Sequence, residues 1–216
     1  MTPSAKERTY KPGQSVVFRV VADKFGGLSN MSSEFPLFLN DTQLWSSEAL
    51  YQACRYPSRP DIQKLIALER SPMTAKMVSK HYLQYSRTNW ERLRLAVMRW
   101  CLRVKLAQNW SRFGTLLLST KDNPIVEEST RDKYWAAKRN EAGDLVGVNA
   151  LGRLLMELRE QLKRADRDRL HIVAPLGIKD FLFMGEQIGT IKTEEWVAPS
   201  EMSTQAHIDS NWRYQF

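Results

Sequence analysis

The chain has 216 residues, 43% of them hydrophobic and 26% charged, with 32 Lys and Arg against 24 Asp and Glu for a net charge of +8. That length suits one domain with an appendage, and the composition excludes collagen-like and intrinsically disordered chains. No apolar run approaches the roughly 20 residues of a membrane helix, and the polar start has no apolar signal segment. The two cysteines, Cys54 and Cys101, offer neither a disulfide framework nor a zinc site, so a reduced, cytoplasmic protein is expected.

Residues 1–15 read as a flexible leader. Ser15–Ala22 is a β-branched run that predicts a strand, followed by a glycine-bearing loop at Phe25–Met31. Pro36–Leu39 and Thr42–Trp45 predict two strands around an Asn40-Asp41 turn. From Ser46 the pattern turns helical. Ser46 or Ser47 caps a helix that runs through Glu48 to about Arg55 and stops before Pro57, and Asp61–Arg70 makes another. Ser71-Pro72 opens a third over Met73–Lys80. The strongest helical signal is Asn89–Ala107, where Thr88 and Glu91 have capping-box spacing and Trp90, Leu93, Val97, Trp100/Cys101 and Val104 share a face. Arg112–Ser119 and Asn149–Arg164 follow as helices, separated by an irregular, charged stretch over Ile125–Gly147. Phe181–Ile191 reads as a small β-hairpin.

Charge divides unevenly. Residues 165–216 carry 5 basic and 8 acidic side chains, a balance of −3, which leaves +11 on residues 1–164. A basic body concentrates near polyanions, although a solubilising surface gives the same arithmetic. Isolated His81, His171 and His207 lack ligand spacing. Phosphate-loop, dinucleotide-fold and nucleophile-elbow motifs are missing.

What remains is a set of carboxylates, tryptophans and amides. Glu48 lies in a first helical turn, where an acid is favourable for its own sake. Asp132 precedes Trp135 by three residues, a spacing that also fits a plain turn. Trp90 is either a core anchor or a stacking platform for a base. Lys105, beside Leu102, Cys101 and Met98 on its helix, either snorkels to water or is held desolvated with a lowered pKa. Such a set meets the needs of a glycosidase, in which a carboxylate moves a proton as positive charge develops on the sugar.

Read in order, several segments resemble the NADAR (YbiA-like) family. They are Phe25-Gly26-Gly27-Leu28-Ser29-Asn30, Ser46–Ala53, Ser71-Pro72-Met73, Asn89-Trp90, Val97-Met98 with Lys105, Ile125-Val126-Glu127, Asp132–Trp135, and Asn149–Gly152 with Leu155-Met156 and Arg159. The resemblance spans about residues 16–162. Ala49-Leu50 departs from the family's His-Tyr pair, Ala136 from a Gly and Leu106 from a Phe, and the stretch after Arg164 is absent from compact members.

The resemblance implies an α+β, mainly helical fold: a compact single domain over residues 16–164 with a small β element and a C-terminal extension over 165–216. It implies N-glycosidase activity without metal or organic cofactor. Its wording is most similar to the branch that removes ADP-ribose from guanine bases in DNA, releasing ADP-ribose and acting as antitoxin to DarT-type DNA ADP-ribosyltransferases. Cleavage of phosphorylated riboflavin-pathway intermediates is the alternative, and a non-catalytic ADP-ribose or nucleic-acid binding module is a third reading. By resemblance, Glu48 is the acid/base group. Lys105 is a candidate Schiff-base nucleophile, which needs a deprotonated amine. Asp132 orients a ribose hydroxyl or assists proton transfer, and Trp90 and Trp135 line the pocket. Ser29, Asn30 and Gln52 bind ribose or phosphate oxygens, Gly26-Gly27 permits close approach, and Asn149 opens a helix whose amides face a pyrophosphate.

Overall fold

Turn-forming residues bound the early apolar runs, Pro12-Gly13, Asp23, Gly26-Gly27 and Asn40-Asp41 among them, and short strands result. The computed structural model describes residues 6–193. β1 (Arg8–Tyr10) and β2 (Val16–Phe18) come first. β3 (Leu37–Leu39) and β4 (Thr42–Leu44) pair antiparallel across Asn40 and Asp41. Both turn residues have positive φ, 43° and 56°, as a two-residue hairpin turn requires. The strand expected over Ser15–Ala22 stops at Phe18, because the Asp23 carboxylate accepts the Arg19 and Val20 amides and curls the chain.

Helices then follow closely. Ser46 caps α1 (Ser47–Ala53), its hydroxyl accepting from the Ala49 amide. α2 (Pro60–Leu68) and α3 (Pro72–His81) both begin on a proline, and Ser71 caps α3 through the Thr74 amide. α4 (Trp90–Gln108) is the longest, roughly 28 Å at 1.5 Å per residue. The Thr88–Glu91 capping box does not form. Asn89 occupies the cap position without a side-chain cap bond, and Glu91 reaches instead to Arg94 at 3.0 Å. α5 (Trp110–Ser119) follows after Asn109.

The stretch expected to be irregular contains strands too short to show a period. β5 (Ile125–Glu127) pairs in parallel with β2. β6 (Lys138–Arg139) and β7 (Leu145–Gly147) pair antiparallel, and β1 adds to the other edge of β7. Part of the expected leader is therefore a strand, fixed by the ladder from Arg8 to Gly147 through Tyr10 to Leu145. α6 (Ala150–Leu162) buries Leu151, Leu154, Leu155, Leu158 and Leu162 against α4, α5 and β5, the stripe its sequence predicts.

Beyond α6 come β8 (Ile172–Val173), β9 (Leu182–Phe183), β10 (Glu186–Gln187) and β11 (Ile191–Lys192). β9 and β10 make the expected hairpin around Met184-Gly185, whereas β11 leaves it to pair with β8. Leu170, Val173, Phe181, Phe183 and Ile188 join the same core as α4. The Trp100 indole donates to the Ala174 carbonyl at 3.0 Å and meets the Phe181 ring edge-on at 4.9 Å. Residues 165–193 thus brace the central helix. The remainder of the extension, 194–216, lies outside the described residues, as does 1–5 of the leader.

One glycine fixes the spacing between α6 and β5. A Cβ on Gly152 would lie 2.1 Å from the Ile125 carbonyl oxygen and 2.5 Å from the Asn149 amide nitrogen. Gly152→Ala is expected to cost about 2–3 kcal/mol through overpacking. In a chain of this size that lowers Tm by roughly 5–10 °C, readable by calorimetry, and an unchanged melt would refute the close fit.

Candidate active site

The carboxylate of Glu48 is placed by local chain geometry. Ser46 starts α1 so that Glu48 falls in its first turn, where the helix dipole favours negative charge. The Glu48 amide donates to the Asn30 carbonyl at 3.1 Å, which ties α1 to the glycine-bearing loop. One turn later, Gln52 turns its amide back to donate to Glu48 Oε1 at 2.8 Å, and its own carbonyl oxygen accepts from the Ser79 hydroxyl at 2.7 Å. Lys76 of α3 stands 3.7 Å from the same carboxylate oxygen. Only 7% of the Glu48 side chain is exposed.

Glu48 opens into a cavity of about 390 Å³ between α1, α3, α4 and the segment after β5. Across from it stands Glu127, the last residue of β5. Burial pushes the Glu127 carboxyl up to about 7, and the nearby charge of Glu48 adds to the rise. Lys76 and a hydrogen bond from Ser29 oppose it. Two carboxyls thus share one cavity, and burial raises that of Glu127, as suits a group that must hold a proton near neutrality.

Asp132 supplies a third carboxylate. Its Oδ1 accepts the amides of Tyr134 and Trp135, each at 2.8 Å, which folds this segment into the cavity wall. The wall is aromatic. Trp135 meets Tyr51 at 5.7 Å and Tyr134 at 5.1 Å, and the Arg94 guanidinium covers the Tyr134 ring at 3.7 Å. Arg19, Arg55, Lys76 and Arg94 supply the cations of the lining. The Arg55 Nε is buried with no hydrogen-bond partner among the described residues, and its guanidinium stands 4.8 Å from the Trp90 ring.

Glu48, Asp132, Asn30, Gln52 and Trp135 of the residues read from the sequence line this cavity. The others lie behind it. Lys105 is wholly buried, donating to the Gly27 and Ser29 carbonyls at 2.8 and 3.0 Å between the rings of Phe35 and Phe113. Burial lowers its pKa to about 7, so a neutral amine is accessible, yet the nitrogen is not in the cavity lining. Trp90 is a core residue that backs Tyr51 at 4.9 Å. Ser29 is buried beneath Glu127.

The glycines and Asn149 answer to the chain's own packing. A Cβ on Gly26 would lie 2.2 Å from the Val21 carbonyl oxygen, so its missing side chain accommodates the preceding turn. At α6, the amides of Asn149, Ala150 and Leu151 already donate to the carbonyls of Ala136, Tyr134 and Trp135. Those amides hold the aromatic wall in place and are not open to a pyrophosphate. The Asn149 side chain bridges the Ile125 carbonyl and the Glu127 amide, which sets the position of Glu127. Among the described residues no group of three His, Cys, Asp or Glu is arranged to hold a metal ion, and no helix is long and apolar enough to cross a membrane.

A model of the NADAR domain matches residues 17–163. The chain belongs to the NADAR domain family. It is 34% identical to N-glycosidase YbiA of Escherichia coli (strain K12) over 148 residues, covering 67% of this chain and 86% of that protein. It is also 33% identical over 153 residues to the chloroplastic riboflavin biosynthesis protein PYRR of Zea mays, covering 65% of this chain and 24% of that one. The NMR structure of E. coli YbiA superposes with a TM-score of 0.58 at 33% identity, covering 69% of this chain and 85% of that structure. The NADAR fold is therefore the mainly helical α+β architecture expected. Of the cavity residues, Glu127, Lys76, Arg55 and Arg94 were given no role by sequence reasoning. Glu127 lies in a segment that carries the family resemblance, but its altered acidity depends on burial in the folded chain, with Glu48, a neighbour in space alone, adding to it.

Proposed function

We propose that this NADAR protein is an N-glycosidase that removes ADP-ribose from guanine bases in DNA, reversing the modification as an antitoxin does. The observation that carries the glycosidase reading is the pair Glu48 and Glu127 in one cavity, with the Glu127 carboxyl pushed up to about 7 by burial. Near neutrality Glu127 holds a proton for the departing guanine nitrogen, and the Glu48 carboxylate takes one from the attacking water. The bond from guanine to C1″ of the ribose breaks, hydroxide from water joins C1″, and the base leaves with the proton from Glu127. Asp132 meets a ribose hydroxyl, Trp135 packs beneath the sugar, and Arg55 and Lys76 offer charge to phosphate oxygens. DNA as the carrier of the leaving base is supported by the charge of +11 on residues 1–164.

The test is incubation with an oligonucleotide bearing guanine-linked ADP-ribose, with release of free ADP-ribose followed by chromatography. No release would remove this reading. The names of the riboflavin-related relatives favour a second one, and turnover of a phosphorylated riboflavin-pathway intermediate in its place would select it.

Lys105 enters this scheme as a positioning residue that anchors the Gly27–Ser29 loop. Direct hydrolysis predicts that borohydride added during turnover leaves the intact protein mass unchanged. A reduced adduct mapped to Lys105 would instead establish a Schiff-base route.

A further inference from the structure

Beside the catalytic cavity runs a second and larger groove of about 830 Å³. The two are continuous, since Glu91, Arg94 and Tyr134 line both. The groove's floor is apolar, formed by Leu95, Val148, Leu154 and Met156, and its rim carries six cations: Lys6, Arg8, Arg92, Arg94, Arg99 and Arg153.

Ion pairing divides these cations. Three carboxylates line the groove, and each already has a cation: Glu91 pairs with Arg94, Glu157 with Arg99 at 2.9 Å, and Glu160 with Arg159 and Lys163. Lys6, Arg8, Arg92 and Arg153 make no ion pair among the described residues. They come from the amino-terminal segment, α4 and α6, so four unmatched charges surround an apolar trough that leads to the Tyr134 ring and the cavity mouth. An isolated phosphate needs no trough, and an apolar partner needs no cations. A chain that alternates phosphates with flat bases uses both.

We infer that this groove binds a single-stranded polynucleotide, its phosphates on Lys6, Arg8, Arg92 and Arg153 and its bases against the apolar floor, delivering one base past Tyr134 into the cavity. The inference rests on the proposed activity only for what enters the cavity, and binding can be measured without turnover. The probe is a short fluorescein-labelled single-stranded oligodeoxynucleotide of unmodified bases, followed by anisotropy with the full chain across a salt series. Four phosphate contacts give a slope of log K against log salt of about −3, at roughly 0.7 per contact.

In the double variant Arg92→Gln, Arg153→Gln the slope is expected to fall to about −1.4, with binding weakened roughly tenfold or more at low salt. An ADP-ribosylated guanosine mononucleotide should be turned over by that variant as by the parent, because neither arginine lines the cavity. An unchanged slope and affinity would overturn the groove assignment. Displacement of the oligonucleotide by polyglutamate at equal charge would overturn it too, making the groove a docking surface for an acidic protein. A fallen slope in a protein that releases no ADP-ribose from any substrate would sink the enzymatic reading and uphold the groove.

Discussion

Glu48→Gln is expected to lower kcat for ADP-ribose release by roughly two to four orders of magnitude, the usual contribution of a positioned general base. Binding of ADP-ribose should survive. Glutamine keeps the volume of the side chain and leaves an oxygen to accept from Gln52, so the network to Ser79 persists. The loss is confined to the charge that faces Lys76 and the proton that must leave water. Product release by chromatography gives kcat, and calorimetric titration of ADP-ribose gives the binding arm. Parent-like turnover would move the base role to another carboxyl of the cavity. Loss of turnover and binding together would show that Glu48 serves the architecture of the pocket instead.

Glu127 should set the alkaline side of the pH profile. Its proton is present below about 7 and absent above, because burial and the neighbouring Glu48 charge penalise the anion. As a general acid it is active only when protonated, so kcat/KM is expected to fall about tenfold per pH unit above that point. Glu127→Gln should remove this limb and lower kcat by roughly 10²–10⁴. The same shift has a stability signature of the same sense with pH. A carboxyl raised in the folded state contributes stability that is complete below about 4.5, its unfolded value, and is lost as pH rises through about 7. The Gln variant should therefore melt at a higher temperature than the parent at pH 8, with the advantage vanishing toward pH 4.5. A variant that loses activity but melts like the parent at every pH would refute the buried, raised carboxyl.

Local signals carried much of the fold into view, and long-range pairing hid the rest. The Asn40-Asp41 turn, the Ser71-Pro72 cap and the leucine stripe of α6 depend on neighbours within a few residues, and each folds as its sequence reads. β1, β5 and β7 are three residues each, and their partners lie far away in the chain, so no period marks them. A capping box between Thr88 and Glu91 was legible but lost to Arg94, which draws Glu91 to the helix surface. At the site, Glu48, Asn30, Gln52, Asp132 and Trp135 were legible through family resemblance. Glu127 was not, because a strand-end glutamate gains its raised pKa only when folding buries it and sets Glu48 nearby. For Lys105 an apolar helix face left snorkelling and desolvation both open, and the fold buries the amine on two carbonyls between two phenyl rings.

The brace laid on α4 by residues 165–193 bears on where this protein can be cut. The NADAR match ends at residue 163, and a fragment stopped there would strip Leu170, Val173, Phe181, Phe183 and Ile188 from the core they share with Trp100. The indole would lose its carbonyl partner at Ala174 as well. Such a fragment would present a fresh apolar flank along the helix that carries Met98 to the cavity, and self-association is the usual fate of a bare flank of that kind. The family match ends before the fold does, since the packing on which α4 relies continues through at least Ile188 and the β8–β11 pair.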